Sequence, residues 1–187
     1  MRLFLAVELP EILLEELEAA VAPLREEAPE LAWVSPRKRH LTLKFLGDVE
    51  RETVPSLVEM TDRIVRGRAP FAINLREVGA FPNFRRARVV WIGVEQEPRL
   101  ELLQHDVEVA CELAGFELDG RPFRPHVTLA RRRSALPVER AKQLRKTAKR
   151  VTFTATLGVE AITLFESVPG AGSTPYARVH VAQLGGR

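Results

Sequence analysis

The stretch HLTL at residues 40–43 returns as HVTL at residues 126–129, and the two copies use half of the chain's four histidines. A chain of 187 residues that writes the same alternation twice, 86 positions apart, must fold with that duplication built in. In an extended strand alternate side chains share a face. His40 and Thr42 therefore project together, away from Leu41 and Leu43, and His126 and Thr128 do the same against Val127 and Leu129. Two of four histidines carrying Thr-Leu in this way by accident has odds on the order of one in a thousand.

The surrounding pattern repeats as well. RLFLAV (2–7) is strand-like, and Pro10 opens a helical pattern through Ile12, Leu13, Leu17, Ala20, Val21 and Leu24. Loops around Pro29 and Pro36 lead to the first His strand, which stops at Gly47-Asp48. A helix over 49–66 and a strand over 71–78 follow, and AFPNFRR is a loop. RVVWIGV (88–94) restarts the order. Pro98 opens a helix carrying Leu100, Leu103, Val107, Cys111 and Ala114, with Gly115 as its stop. The second His strand, a helix from Pro137 to about Arg150 and one or two strands over 151–167 complete it. Residues 169–175 are turn-rich, 177–184 form a last strand and 185–187 a frayed tail. Phe4 maps onto Val90, and Phe71 roughly onto Val151. The prediction is one bilobal α+β domain over 1–187, with repeats near 1–87 and 88–187. Its two pseudo-symmetric lobes are mostly antiparallel sheets flanked by helices around a cleft. Each half alone is marginal in size, so a shared interface is expected.

Composition narrows the setting. No apolar run approaches the ~20 residues a membrane-spanning helix needs, and the opening residues lack a signal-peptide pattern. A soluble, cytoplasmic protein with no obligate protein partner is expected. Cys111 stands alone as a buried thiol, and no Cys/His cluster has metal-site spacing. Net charge is +3, but residues 121–150 hold eight arginines and three lysines against Glu139 alone. Such a run suits a polyanionic partner or a solvated face.

Two facing imidazoles suit phosphoryl chemistry without a metal. Near neutral pH one can act as base and the other as acid. In-line opening of a cyclic phosphodiester needs both, on opposite sides of phosphorus, and threonine hydroxyls can donate to the non-bridging oxygens. His105 reads as a helix-surface residue and His180 as a structural strand residue.

HLTLKFLG and HVTLAR resemble the paired His-x-Thr-x motifs of the 2H phosphoesterase superfamily. RLFLAVELP, WVSPRKRHLTLKFLG, GAFPNFRRARVVWIGV, FRPHVTLAR and LFES before Tyr176 are similar, in order and spacing, to the RNA 2′,3′-cyclic phosphodiesterases long called 2′-5′ RNA ligases. The resemblance implies hydrolysis of a terminal 2′,3′-cyclic phosphate on RNA to a 2′-phosphate, with neither metal nor cofactor. It implies His40 as proton donor to O3′, His126 as the base, and Thr42 and Thr128 as phosphate-holding groups. Arg131 is the implied further phosphate contact, although plain alternation puts it on the opposite face unless a bulge re-aims it. Phe45 and Phe123 are candidates to stack on the terminal base. Lys44, Arg124, Arg37, Arg39, Arg121, Arg132 and Arg133 could line the RNA entrance. The alternatives are 2′-5′ ligation, the reverse reaction, and a non-catalytic RNA- or nucleotide-binding module. An ATP-driven ligase is disfavoured, since neither its lysine motif nor a phosphate loop is present.

Overall fold

Helices form where apolar residues recur every three or four positions, and they stop where glycine takes a backbone that other residues avoid. Gly115 has φ +90° and its N–H bonds the Glu112 carbonyl, closing the helix before it. The computed structural model describes residues 1–168 and 176–185. The turn-rich 169–175 and the end of the tail lie outside the described residues. Among these the elements are β1 (Arg2–Glu8), α1 (Glu11–Glu27), β2 (Ala32–Trp33), β3 (His40–Asp48), α2 (Val54–Val65), β4 (Phe71–Phe81), β5 (Val89–Val94), α3 (Pro98–Leu113), β6 (His126–Arg131), α4 (Val138–Ala148), β7 (Thr154–Val159), β8 (Ala161–Ser167) and β9 (Tyr176–Gln183).

The strands pair antiparallel in the order β7-β4-β5-β6-β3-β1-β8-β9, with short β2 pairing β6. The two expected sheets are continuous. They join where β3 meets β6, through the pair Leu41↔Val127. Each side of this seam draws strands from both halves of the sequence. β4 lies beside β5, while β8 and β9 lie beyond β1. By position in the sheet the counterpart of β4 is β8, so Phe71 does not correspond to Val151 as the sequence suggested. Phe4 pairs Phe45 as Val89 pairs Arg131, so Phe4 takes the place of Val89 rather than Val90.

One face of the sheet carries the core. Leu3, Leu5, Leu41, Leu43, Val127 and Leu129 pack there with Leu17, Leu57, Leu103 and Leu144 from the four helices. Strand alternation sends Phe4 and Ala6 to the other face, where they cluster with Phe165 and Tyr176. β4 runs past the predicted end at 78 because Glu77, at φ 62°, is an extra residue that shifts the register against β5. That bulge breaks the visible alternation while the strand continues. Among the described residues no helix is long and apolar enough to cross a membrane.

Candidate active site

β3 and β6 lie side by side at the middle of the sheet, running in opposite directions around Leu41↔Val127. Those two residues are buried on the helix side. The flanking His40, Thr42, His126 and Thr128 are half-buried on the opposite face. Continuing the register sets His40 across from Thr128 and Thr42 across from His126. One approximate two-fold thus relates the two His/Thr pairs.

Both imidazoles are anchored alike. His40 Nδ1 lies 2.9 Å from the Lys38 carbonyl and His126 Nδ1 lies 2.7 Å from the Arg124 carbonyl. A carbonyl only accepts, so each Nδ1 carries the hydrogen and donates it. Each Nε2 is left as the nitrogen that takes or gives a proton. Aromatic rings back the pair. His40 has Phe4 at 4.8 Å and Tyr176 edge-on at 5.2 Å between centroids. His126 has Phe81 edge-on at 4.9 Å and Trp91 at 6.2 Å. Trp91 lies across Gly79, where an added Cβ would come within 2.0 Å of Cη2.

This enclosure favours neutral rings. Burial pushes His40 down to about 4; the Lys38 carbonyl and Glu8 oppose that shift, while Arg131 and His126 reinforce it. Burial also lowers His126, with the Arg124 carbonyl opposing and Arg131 reinforcing. Burial thus favours the neutral form of both rings. An anion placed between them would offset the Arg131 charge and favour protonation.

A shared irregularity decides which neighbours reach this face. β1 pairs Ala6 with Thr42 but Leu5 with Lys44, and β5 pairs Trp91 with Thr128 but Val90 with Ala130. Leu43 and Leu129 are therefore extra residues, and the alternation flips after each. The flip brings Arg131 to the His126 face, where its Nη2 donates to Thr128 Oγ1 at 3.4 Å. It brings Phe45, 59% exposed, to the corresponding place on the His40 face, with its ring 5.9 Å from Phe4. It also turns Lys44 away.

Lys44 does not line the cleft. It is 1% exposed on the core side, and its Nζ donates to Glu108 Oε1 at 2.8 Å and to the Glu117 carbonyl at 2.7 Å. Phe123 is half-buried and packs against the main core. The Arg124 side chain is exposed, and its defined contribution is the carbonyl that holds His126. Arg39 is buried on Glu18, whereas Arg37 is exposed at the cleft. Arg121 and Arg133 are exposed, and half-buried Arg132 donates to the Ala135 carbonyl. His105 is exposed on α3, and His180 Nε2 lies 2.7 Å from Asp62. Cys111 is buried, which raises its thiol to about 11.

A cleft of about 970 Å³ extends from His40 past Glu8, Thr163, Phe165, Tyr176 and Arg178. Sequence reading missed this wall, along with Phe81 and Trp91. Phe4 and Glu8 were findable, because they share alternate positions on the strand that precedes the first motif. Among the described residues no group of three or more His, Cys, Asp or Glu is placed to hold a metal ion.

Known proteins are similar to this chain in sequence and in fold. An RNA 2′,3′-cyclic phosphodiesterase of Geobacillus stearothermophilus is 36% identical over 129 residues, 69% of this chain and 41% of that protein. One from Thermus thermophilus is 40% identical over 145 residues, covering 73% of this chain and 71% of its own. The crystal structure of E. coli LigT complexed with 3′-AMP superposes with a TM-score of 0.77 at 28% identity, covering 99% of this chain and 98% of that one. The model of the 2′-5′ RNA ligase superfamily matches residues 13–170. That span holds both histidine strands, and the chain belongs to the 2′-5′ RNA ligase superfamily.

Proposed function

We propose that this protein is an RNA 2′,3′-cyclic phosphodiesterase that opens the terminal cyclic phosphate to a 2′-phosphate and a free 3′-hydroxyl. The observation that carries the reading is the matched anchoring of His40 and His126, each held through Nδ1 so that Nε2 is the working nitrogen. The names of the relatives support the same reaction.

In this scheme His126 Nε2 takes a proton from the attacking water as its oxygen bonds to phosphorus. The P–O3′ bond breaks, and His40 Nε2 delivers a proton to O3′. Thr42, Thr128 and Arg131 donate to the non-bridging oxygens, where charge is concentrated in the transition state. His40 acquires its proton when the phosphate anion enters, and solvent exchange resets both rings after turnover. Phe45 offers an exposed ring on the His40 face of the strand for the terminal base. Side chains handle every proton and charge in this scheme, so activity is expected in EDTA.

The test is an oligonucleotide bearing a 2′,3′-cyclic phosphate, incubated with EDTA and analysed for product. The expected product is the 2′-phosphate, with each of His40→Ala and His126→Ala slowing turnover by about 10²–10⁴-fold. The double variant should lose little more than either single one, because the two act as a unit. A 3′-phosphate product would reverse the choice of leaving oxygen. Tight binding with intact cyclic ends would make the protein a binding module instead.

A further inference from the structure

The fold's approximate two-fold makes the two imidazoles nearly equivalent, yet the reaction needs one protonated and one neutral. The strands beside them break the equivalence. β1 flanks β3 as β5 flanks β6, with Val7 opposite Leu41 and Ile92 opposite Val127. One step along, Glu8 stands opposite His40, while Gly93 stands opposite His126. Directly paired residues share a face, with Cβ atoms roughly 4.5–5.5 Å apart. His40 therefore has a carboxylate as its cross-strand neighbour and His126 has a glycine. The Gly93 position is tight, since an added Cβ would sit 3.0 Å from Trp91 Cζ3 and 3.2 Å from the Arg76 carbonyl.

The Glu8 carboxylate is held in place. Thr163 Oγ1 donates to Oε1 at 2.7 Å, and Arg178 donates to Oε2 from Nε at 3.0 Å and Nη2 at 2.5 Å. All three residues line the same cleft as His40. We propose that Glu8 is a positioning residue that assigns the proton-donor role to His40, by favouring the imidazolium at that ring and not at His126. This rests on the two-histidine reading above.

The other charged groups around His40 oppose its imidazolium, and burial works in the same sense at both rings, most strongly at His40. His126 lowers His40 further, so Glu8 is the one side-chain charge that favours a protonated His40. Arg131 and His126 face it from β6, Tyr176 and Arg178 from β9, and Arg37 and Arg39 from the turn before β3. Arg131 acts on both rings in the same sense. Glu8 acts on His40 alone, and among the described residues no carboxylate acts on His126.

The experiment measures each imidazole pKa by NMR in protein saturated with adenosine 2′-monophosphate, together with the pH profile of kcat on a cyclic-phosphate oligonucleotide. Glu8→Gln keeps the size and the acceptor for Thr163 while removing the charge. It should lower the His40 pKa by up to about one pH unit, the order expected for a neighbouring charge in a partly solvated cleft. His126 should not move, and the alkaline limb of kcat should shift to lower pH. Arg178→Gln, at an exposed position, should raise His40 and shift that limb the other way. An active enzyme whose His40 titration ignores both substitutions overturns the role of Glu8 alone, as does a shift shared equally by both rings. A wild-type protein that leaves cyclic ends intact overturns the functional reading, and the role with it.

Discussion

Replacing Lys44 with methionine separates two places this residue could occupy. Its aliphatic stem and ammonium are 1% exposed, and Nζ reaches Glu108 Oε1, the Glu117 carbonyl and, at 3.6 Å, Asp119 Oδ1. Methionine keeps the stem's volume and removes all three contacts. Glu108, with 14% side-chain exposure, then holds only the Asp119 N–H at 2.5 Å and Gln104 at 3.4 Å. Stranding one member of a buried pair costs about 3–5 kcal/mol. The retained donors and slight solvent access put this case near ~3 kcal/mol. At about 2–4 °C per kcal/mol for a chain of this size, melting should fall by roughly 6–12 °C. Circular dichroism melting, run beside steady-state kinetics on a cyclic-phosphate oligonucleotide, reads both properties. Lys44→Met combined with Glu108→Leu should recover most of the loss, because the stranded carboxylate is gone. If Lys44→Met melts with the wild type while KM rises, Lys44 faces substrate and the argument from its burial is wrong.

Arg131→Ala should lower kcat/KM by about 10²-fold, as loss of a transition-state donor does. Arg131→Lys should restore only part of it, since a point charge does not reproduce the guanidinium fork; an unchanged rate would remove Arg131 from the scheme. Gly79→Ala puts a methyl 2.0 Å from Trp91 Cη2, so the indole must leave its place behind His126. It should cost about 1–3 kcal/mol by melting and also lower kcat, and adding Trp91→Leu should restore stability but not rate. Stability should also depend on pH. His40, held at about 4 against an ordinary 6.5, stays neutral in the fold while the unfolded chain takes up a proton. Its contribution is complete above pH 6.5 and declines toward pH 4, by at most about 3 kcal/mol. Urea midpoints across that range should fall in the wild type and fall less in His40→Asn, where the lowered His126 remains.

The motif strands were legible because their polar and apolar residues alternate, and alternation survives folding wherever a strand is regular. One failure came at a bulge. Lys44 occupies the next even position after His40 and Thr42, which on a regular strand is the cleft face. The extra Leu43 reverses that, and the same slip at Leu129 turns Arg131 inward. Adjacent buried residues at 43–44 and 129–130 are the trace of these slips, but a leucine followed by lysine reads as ordinary alternation. The exchange of β4 and β8 across the seam was hidden for another reason. Pairing partners distant in sequence leave no local signature, so the repeat named the strands without saying on which side of the seam each would lie.

The seam itself has a mechanical consequence. Both catalytic candidates sit on the line where the sheet is joined by the single pair Leu41↔Val127, so their spacing rests on that one join. The route of the backbone ties the two sides together. It steps across that line between β1 and β2, β2 and β3, β3 and β4, and β7 and β8, like stitches through a fold in cloth. Each side of the seam is one jaw of the sheet, built from strands of both halves of the sequence. A nick between residues 87 and 88 would leave two fragments, neither with all the strands of one jaw, that regain a working jaw only together.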